Sequence, residues 1–169
     1  GFPPGDFRDW RPPEWHAALN SMMLGPIEMI RRTVDPMMER RFGRIVNIVS
    51  RSVKSPHLEL GLSSGARSGL VSFSAALARH TVRHNVTINN LLPGVFATDA
   101  QRRHVQKLSQ LTGRSFEAIW AERENANPAE RFGNPDEMGA WCAFMASQYA
   151  GFVTGQSLLV DGGDYPGMF

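Results

Sequence analysis

The amino-acid sequence predicts an α/β fold in which a doubly wound parallel sheet is covered by helices on both faces. The first observation is an alternation. Segments whose apolar residues recur every three or four positions are separated by short runs rich in valine, isoleucine and leucine, a pattern typical of parallel sheets. The second is size and composition, since 169 residues with 42% hydrophobic and 20% charged residues suffice for one core.

The first predicted element is a long amphipathic helix from Pro13 to Arg41. Pro26 and Pro36 are expected to bend this helix or to end it early, because proline lacks the N–H that an interior position donates. The run RIVNIVS (44–50) follows and predicts a buried strand. The apolar residues that define the helix have a spacing of three and four: Trp15, Leu19, Met22, Met23, Ile27, Ile30, Val34 and Met37.

A connecting loop is predicted over 51–62, and a second helix over 63–84. The helical periodicity of 63–84 is carried by Ala66, Leu70, Phe73 and Leu77. The run NVTINNLLPG (85–94) then predicts a second strand that ends at Pro93 and Gly94.

The part of the chain beyond Thr98 is polar and partly helical as far as about 125. Within it, Phe116, Ile119 and Trp120 have helical spacing, and they either line an apolar pocket or dock the helix. The sequence Asn-Pro-Asp-Glu at 134–137 predicts a capped helix start, and this helix is expected to reach about Ser147. The run TGQSLLVDGG (154–163) predicts the third strand.

Charge and composition favour small molecules as ligands. Lys and Arg number 18 against 16 Asp and Glu, a formal net charge of +2, and the basic residues are scattered, so no nucleic-acid partner is expected. No apolar run approaches the ~20 residues that span a bilayer, and the first ten residues do not resemble a signal peptide. We therefore expect no membrane partner and a cytoplasmic location, which the single cysteine, Cys142, also fits.

Four stretches of the sequence resemble landmarks of the short-chain dehydrogenase/reductase family. They are IVNIVS, NNLLPGVFATD, AERFGNPDE and VTGQSLLVDGG, and they occur in the family's order. The resemblance runs from about Trp10 to the end of the chain and implies a Rossmann-type fold. No G-x-x-x-G-x-G loop is present, so residues 1–169 resemble the C-terminal portion of a single Rossmann-type domain without its dinucleotide-binding half.

The resemblance also assigns the positions at which the family performs its chemistry. Ser50 matches the family's serine, whereas Ser63 stands at the tyrosine position and Arg67 at the lysine position. The family's asparagine position falls on Met22, with Asn20 nearby. A serine hydroxyl is far too weak an acid to replace a tuned phenol. Arg67 is suited to holding ribose hydroxyls, but it cannot relay a proton.

A replacement proton donor is therefore expected elsewhere in the site. His57 lies in the loop before Ser63, and an imidazole titrates in the useful pH range. Its alternative role is that of a solvent-exposed loop residue. Tyr165 in the tail is a second candidate, and it would otherwise pack on a neighbouring subunit. His80 and His84 have metal-ligand spacing without an accompanying Glu or Cys, so no metal site is predicted.

By resemblance, the segment after the second strand wraps the nicotinamide end of NAD or NADP. Gly94 there permits close backbone approach, and Thr98 can hydrogen-bond an amide. The alternative is that this segment is an ordinary turn between a strand and a loop. Ser50 similarly either donates to a substrate or only caps its strand. The predicted cofactor-binding residues, besides Arg67, are Pro93, Gly94, Val95, Phe96 and Thr98.

Three functions are compatible with these residues. The first is an atypical NAD(P)-dependent oxidoreductase acting on a small carbonyl or alcohol substrate. The second is a catalytically silent relative that binds a nucleotide or serves as a partner subunit, and the third is a redox-neutral enzyme such as an isomerase. The apolar surface of the long helices further predicts a homo-oligomer, either a dimer or a tetramer.

Overall fold

A computed structural model of the chain describes residues 2–168. It contains six α-helices and three strands in an α/β arrangement. Short 3₁₀ turns lie between several of them, and a π-helical turn joins the first two helices. In chain order the elements are α1 (Pro12–Leu19), α2 (Gly25–Glu39), β1 (Gly43–Ile48), α3 (Gly61–Thr81), β2 (Val86–Pro93), α4 (Asp99–Thr112), α5 (Phe116–Asn125), α6 (Pro135–Ala146) and β3 (Ser157–Val160).

The three strands form one parallel sheet in the order β1-β2-β3. β1 pairs with β2 from Gly43 opposite Val86 onward, and β2 pairs with β3 from Asn90 opposite Ser157 onward. The central strand β2 is buried along all but its last residue, which explains its nearly continuous apolar and amide sequence. The predicted parallel sheet is thus confirmed.

Helices cover both faces of the sheet, as the sequence predicts. On one face, Leu92 of β2 packs with Ile30 and Val34 of α2 and with Leu70 of α3. On the other face, Leu91 packs with Met145 of α6. Successive residues of a strand point to opposite faces, so this pair of leucines connects the two halves of the core.

The long helix predicted over 13–41 is interrupted. A π-helical turn over Asn20–Leu24 separates α1 from α2, and the helix ends at Glu39. Pro26 lies in the first turn of α2 and has no N–H for the carbonyl of Met22, so the helix widens there instead of continuing regularly. Pro36 remains inside α2, so only one of the two prolines coincides with an interruption.

The other boundaries differ from the predictions by a few residues. The loop predicted over 51–62 contains two 3₁₀ turns, Arg51–Val53 and Leu58–Leu60, and α3 begins within it at Gly61. The helix after Asn134 forms as predicted, with a capping box in which the Glu137 carboxylate accepts from the Asn134 N–H.

Candidate active site

The carboxyl ends of the three strands meet at one edge of the sheet. Ser50 follows β1, the segment from Gly94 follows β2, and Asp161 follows β3. The Gly94 N–H donates to the carbonyl of Val160 over 3.0 Å. A Cβ on residue 94 would lie 2.7 Å from the Cβ of Asp161, so only glycine permits this approach of the two strand ends. Ligands of open parallel sheets bind at this edge.

Ser50 lies in extended backbone and begins the first 3₁₀ turn. Its Oγ accepts two hydrogen bonds from Ser52, one from the N–H over 3.2 Å and one from the hydroxyl over 2.9 Å. A hydroxyl has two acceptor sites and one donor. The Ser50 proton therefore remains available for a third partner, such as the oxygen of a substrate. Ser50 therefore caps this turn, and its hydroxyl group can still donate a hydrogen bond to another partner.

Ser63 and Arg67 lie on one face of α3, and Arg67 links them to the sheet. Its Nε donates to Ser63 Oγ over 3.1 Å, and its Nη1 donates to the carbonyl of Val49 over 2.6 Å. Burial lowers the pKa of the Arg67 guanidinium from its ordinary value, yet arginine remains a cation in proteins. The Ser63–Arg67 pair is thus a structural brace between α3 and the end of β1.

A small cavity adjoins this brace. It has a volume of about 160 Å³, and the Nη2 group of Arg67 donates no hydrogen bond within residues 2–168. A guanidinium donor beside a hydroxyl fits the hydroxyl groups of a ribose. The cavity also contains Met22, which the resemblance places at the family's asparagine position. Its lining consists of Ser21, Met22, Pro26, Ile48, Val49, Arg67 and Leu70.

The two candidate proton donors lie in different surroundings. His57 is exposed, and its side chain makes no hydrogen bond within the described part of the chain. Tyr165 lies in the tail, and the Nζ of Lys54 is 6.0 Å from the centroid of its ring. An ion pair between Arg51 and Asp164 holds the tail against the 3₁₀ turn Arg51–Val53. Tyr165 therefore packs within its own chain.

The predicted cofactor segment after β2 has several internal partners. Phe96 pairs with Gly133 as an isolated bridge, and a Cβ on residue 133 would lie 2.6 Å from the Phe96 ring. The Thr98 hydroxyl accepts from the Gln101 N–H over 3.2 Å and caps α4. Pro93 and Val95, like Phe96, are half-buried, whereas Thr98 is exposed.

The aromatic residues of α5 dock this helix. Phe116 stacks on Trp120, whose ring meets that of Phe132 at a centroid distance of 4.5 Å, and Ile119 is buried. Of the two roles that the sequence leaves open for Phe116, Ile119 and Trp120, the structure thus shows docking.

A second cavity lies between the strand ends and α5, and sequence reasoning did not identify its charged residues. Its volume is about 170 Å³. Arg51 directly follows Ser50, which is a signal that the sequence contained. Arg123 has no such signal, because only the packing of α5 brings it to the strand ends. The lining residues are Arg51, Val95, Arg123, Ala126, Asn127, Phe132 and Asp164.

None of the helices in residues 2–168 has the length and apolar character that crossing a bilayer requires. In the same residues, no three His, Cys, Asp or Glu side chains are grouped as metal ligands.

Two curated proteins are similar to this chain in sequence. The chain is 29% identical over 163 residues to the NADPH-dependent reductase BacG of Bacillus subtilis and covers 96% of itself and 63% of that protein. It is 31% identical over 159 residues to the acetoacetyl-CoA reductase of Shinella zoogloeoides, covering 94% of itself and 62% of that protein. The chain thus spans less than two thirds of the length of these relatives.

Two solved structures are also similar to this chain. The crystal structure of YwfH, an NADPH-dependent reductase involved in bacilysin biosynthesis, matches with a TM-score of 0.91 at 28% identity, covering 99% of this chain and 65% of that one. The actinorhodin polyketide ketoreductase with NADPH matches with a TM-score of 0.88 at 26% identity, covering 97% of this chain and 64% of that one.

A family model described as enoyl-(acyl carrier protein) reductase matches residues 2–164. This match includes the three strand ends and the Ser63–Arg67 brace. Three of the four motifs that the sequence displays run through the strands of the parallel sheet, and the fourth, AERFGNPDE, leads into α6. The chain belongs to the short-chain dehydrogenase/reductase family.

Proposed function

We propose that the whole protein is an NAD(P)-dependent oxidoreductase that reduces a small carbonyl compound or oxidises the corresponding alcohol. The observation that carries this proposal is the Ser50 hydroxyl, which lies at the strand ends with its proton free to donate. A donor there polarises a carbonyl oxygen and stabilises the charge that develops on it. The names of the relatives, which include NADPH-dependent reductases, support the same chemistry.

The residues of this chain fit one end of a nicotinamide dinucleotide. Arg67 Nη2 and the adjacent cavity suit a ribose, and the segment 93–98 offers backbone groups to the nicotinamide. When bound, the dinucleotide supplies or accepts a hydride. Ser50 orients the substrate oxygen, and Arg67 holds the end of β1 in position through the Val49 carbonyl.

The proton must come from a residue other than Ser63. Ser63 is too weak an acid, and its oxygen already accepts a bond from Arg67. We assign this role to His57, and Tyr165 is the second candidate because the Lys54 cation lies beside its ring. His57→Ala should remove one limb of the pH–rate profile of the whole protein. If Tyr165→Phe removes it instead, the assignment to His57 is wrong.

We also propose that residues 1–169 form the C-terminal portion of a Rossmann-type domain whose dinucleotide-binding half belongs to the same protein. The relatives are longer than this chain. In addition, Ile48 in β1 is 55% exposed, which is unusual for an apolar residue of a parallel sheet. A cytoplasmic location fits this function.

A homo-oligomer is part of the proposal. Met29 on α2 and Phe73 on α3 are exposed on the outer surface, as are Trp141 and Phe144 on α6. Exposed apolar residues on packed helices are typical of subunit interfaces. Light scattering of the whole protein at micromolar concentration should report a dimer or tetramer, and a monomer would contradict this part of the proposal.

The decisive experiment is cofactor oxidation. The whole protein is mixed with NADPH, or separately with NADH, and with a panel of small ketones and oxo acids. We expect the absorbance of the reduced cofactor to fall with at least one carbonyl compound, and to fall about 10²-fold more slowly in Ser50→Ala. No consumption with any carbonyl would contradict the proposal.

The second candidate function is a catalytically silent, nucleotide-binding subunit. It is favoured by one observation: the residue at the lysine position, Arg67, is bonded to the Val49 carbonyl and acts as a brace. In that case the whole protein should bind NADPH in a calorimeter and yet reduce no carbonyl compound.

A further inference from the structure

The cavity between the strand ends and α5 is built from four separate parts of the chain. Arg51 comes from the turn after β1, Val95 from the segment after β2, Asp164 from the tail after β3, and Arg123 from α5. At about 170 Å³ it is smaller than the ~300–1,000 Å³ of sites that enclose a whole ligand. It therefore suits one functional group of a small molecule.

The two arginines of this cavity differ in their partners. Arg51 forms an ion pair with Asp164, so the charges of these two residues cancel. Arg123 is half-buried, and its Nε is buried without a hydrogen-bond partner. No carboxylate lies within ion-pair distance of Arg123 in residues 2–168. The cavity thus has a net positive charge.

A buried donor of a charged group without a partner is costly to a folded protein. The surroundings of Arg123 add to this cost, because they are electropositive. The pKa of His104 on α4 is lowered, first by burial and then by the charges of Arg123 and Lys107. The Nη groups of Arg123 also donate no hydrogen bond within residues 2–168, and an anion bound to them in the cavity would offset this positive charge.

A neighbouring arginine, Arg131, has its guanidinium donors paired with a carboxylate. Arg131 lines the adjoining cavity of about 130 Å³, and both of its Nη groups donate to the carboxylate of Glu137, over 2.8 and 2.7 Å. That cavity therefore supplies its own anion. The Arg123 cavity contains the same type of cation without the corresponding carboxylate.

We propose that Arg123 binds the anionic oxygens, carboxylate or phosphate, of a substrate whose carbonyl group is held by Ser50. The planar fork of a guanidinium matches the two oxygens of such a group. Ser50 and the cavity lie at the same edge of the sheet, because Ser50 follows β1 and the lining residues Arg51 and Val95 follow β1 and β2. This inference rests on the proposed function and names its substrate class: small anionic carbonyl compounds.

The first test is binding to the chain itself, without cofactor or turnover. Sodium acetate and inorganic phosphate are titrated separately, and the Nε–H signal of Arg123 is followed by NMR. We expect a saturable shift with one or both anions. The anion with the lower dissociation constant identifies the preferred group. Absence of any saturable shift with both anions would overturn the inference.

Variants localise the binding. Arg123→Met should raise the dissociation constant at least tenfold, as followed by the perturbed backbone signals of Asn127 and Phe132. Arg103→Met, which removes an exposed arginine of α4, should change it less than twofold. Asp164→Asn should tighten binding, because it frees Arg51. Should Arg123→Met fail to fold, Arg123→Lys keeps the charge without the fork and should weaken binding severalfold. Unchanged binding in the folded Arg123 variant would overturn the inference.

The second test separates this inference from the proposed function. The whole protein with NADPH is given acetoacetate and its uncharged methyl ester, and the ratio of the two kcat/KM values is compared between variants. Arg123→Met should lower the acid-to-ester ratio at least tenfold, and Arg103→Met should leave it unchanged. If both compounds are reduced and Arg123→Met leaves the ratio unaltered, the function stands and the anion site is wrong. If no carbonyl compound of the panel is reduced but acetate or phosphate still binds at Arg123, the anion site stands and the function is wrong.

Discussion

At the scale of single residues, Ser50 and Ser63 have the same side chain and different surroundings. Ser50 lies at the end of β1 with its acceptor sites occupied by Ser52 and its proton free. Ser63 lies on α3 and accepts from Arg67. We therefore expect the Ser50 hydroxyl to be important for turnover and the Ser63 hydroxyl to be dispensable.

We predict that Ser50→Ala lowers kcat of the whole protein about 10²-fold, the scale of a lost oxyanion donor, whereas Ser63→Ala retains most of it. Steady-state kinetics with NADPH and the best carbonyl compound of the panel measures both values. The roles assigned to the two serines are wrong if Ser63→Ala abolishes turnover and Ser50→Ala does not.

Arg67 is expected to serve stability as well as cofactor binding. Its charged hydrogen bond to the Val49 carbonyl is of a kind that contributes about 1.5–3 kcal/mol. Arg67→Met should lower the free energy of unfolding in urea by roughly that amount and should also raise KM for the cofactor. Arg79→Met, an exposed arginine of the same helix, is the control. Equal stability of the two variants would contradict the brace.

At the scale of elements, α6 begins with an acid-sensitive cap. The Glu137 carboxylate accepts from the Asn134 N–H and from Arg131. The hydrogen bonds from Arg131, and then that from Asn134, lower the pKa of Glu137 from about 4.5 to about 2. Because the folded pKa lies below the unfolded value, the contribution of Glu137 is complete above the unfolded pKa and is lost as the pH falls toward the folded one.

We therefore predict that Glu137→Gln weakens the acid dependence of stability. Urea unfolding at about pH 6 and about pH 3 should show a smaller loss on acidification in this variant than in the parent chain. Glu117→Gln, which removes an exposed carboxylate from the first turn of α5, should leave the loss unchanged. Identical acid dependence of all three chains would show that the cap does not titrate as proposed.

The central strand contains both satisfied and unsatisfied polar groups. Asn90 is fully buried, accepts from Asn47 over 3.0 Å and donates to Ser157 over 3.2 Å. Thr87 in the same strand is equally buried, and its hydroxyl has no hydrogen-bond partner. Burial without a partner is costly, whereas a satisfied amide links neighbouring strands.

We predict opposite effects of removing the two groups. Thr87→Val keeps the shape and removes the unpaired hydroxyl, so it should raise the free energy of unfolding by about 1 kcal/mol. Asn90→Leu should lower it by about 2 kcal/mol, because Asn47 and Ser157 lose their partner. Urea denaturation of both variants measures the difference, and destabilisation of similar size in both would contradict the prediction.

At the scale of the whole molecule, the chain has one end of the proposed dinucleotide site. It contains no Gly-rich loop of the type that cradles a pyrophosphate at a helix N-terminus. We predict that residues 1–169 alone do not bind NADH or NADPH tightly. Isothermal titration calorimetry measures this, and a sub-micromolar dissociation constant would contradict the prediction.

The sequence by itself determined the fold class, the order of the elements and the family. Periodicity reports which face of a helix is buried. Short apolar runs predicted the three strands, and the Asn-Pro-Asp-Glu cap predicted the start of α6, within a few residues. The motif around Ser50 likewise predicted the strand end where its hydroxyl lies. Periodicity did not reveal the π-helical turn at Asn20–Leu24, because apolar spacing reports burial and not which backbone hydrogen bonds form.

Tertiary structure alone decided which distant groups meet. The Gly94 approach to Asp161, the Arg67 bond to the Val49 carbonyl and the place of Arg123 at the strand ends join residues far apart in sequence. No local pattern records such contacts, since they depend on how helices pack against the sheet. The resemblance places Arg67 at the family's lysine position, whereas only the packing shows that this arginine donates to the Val49 carbonyl.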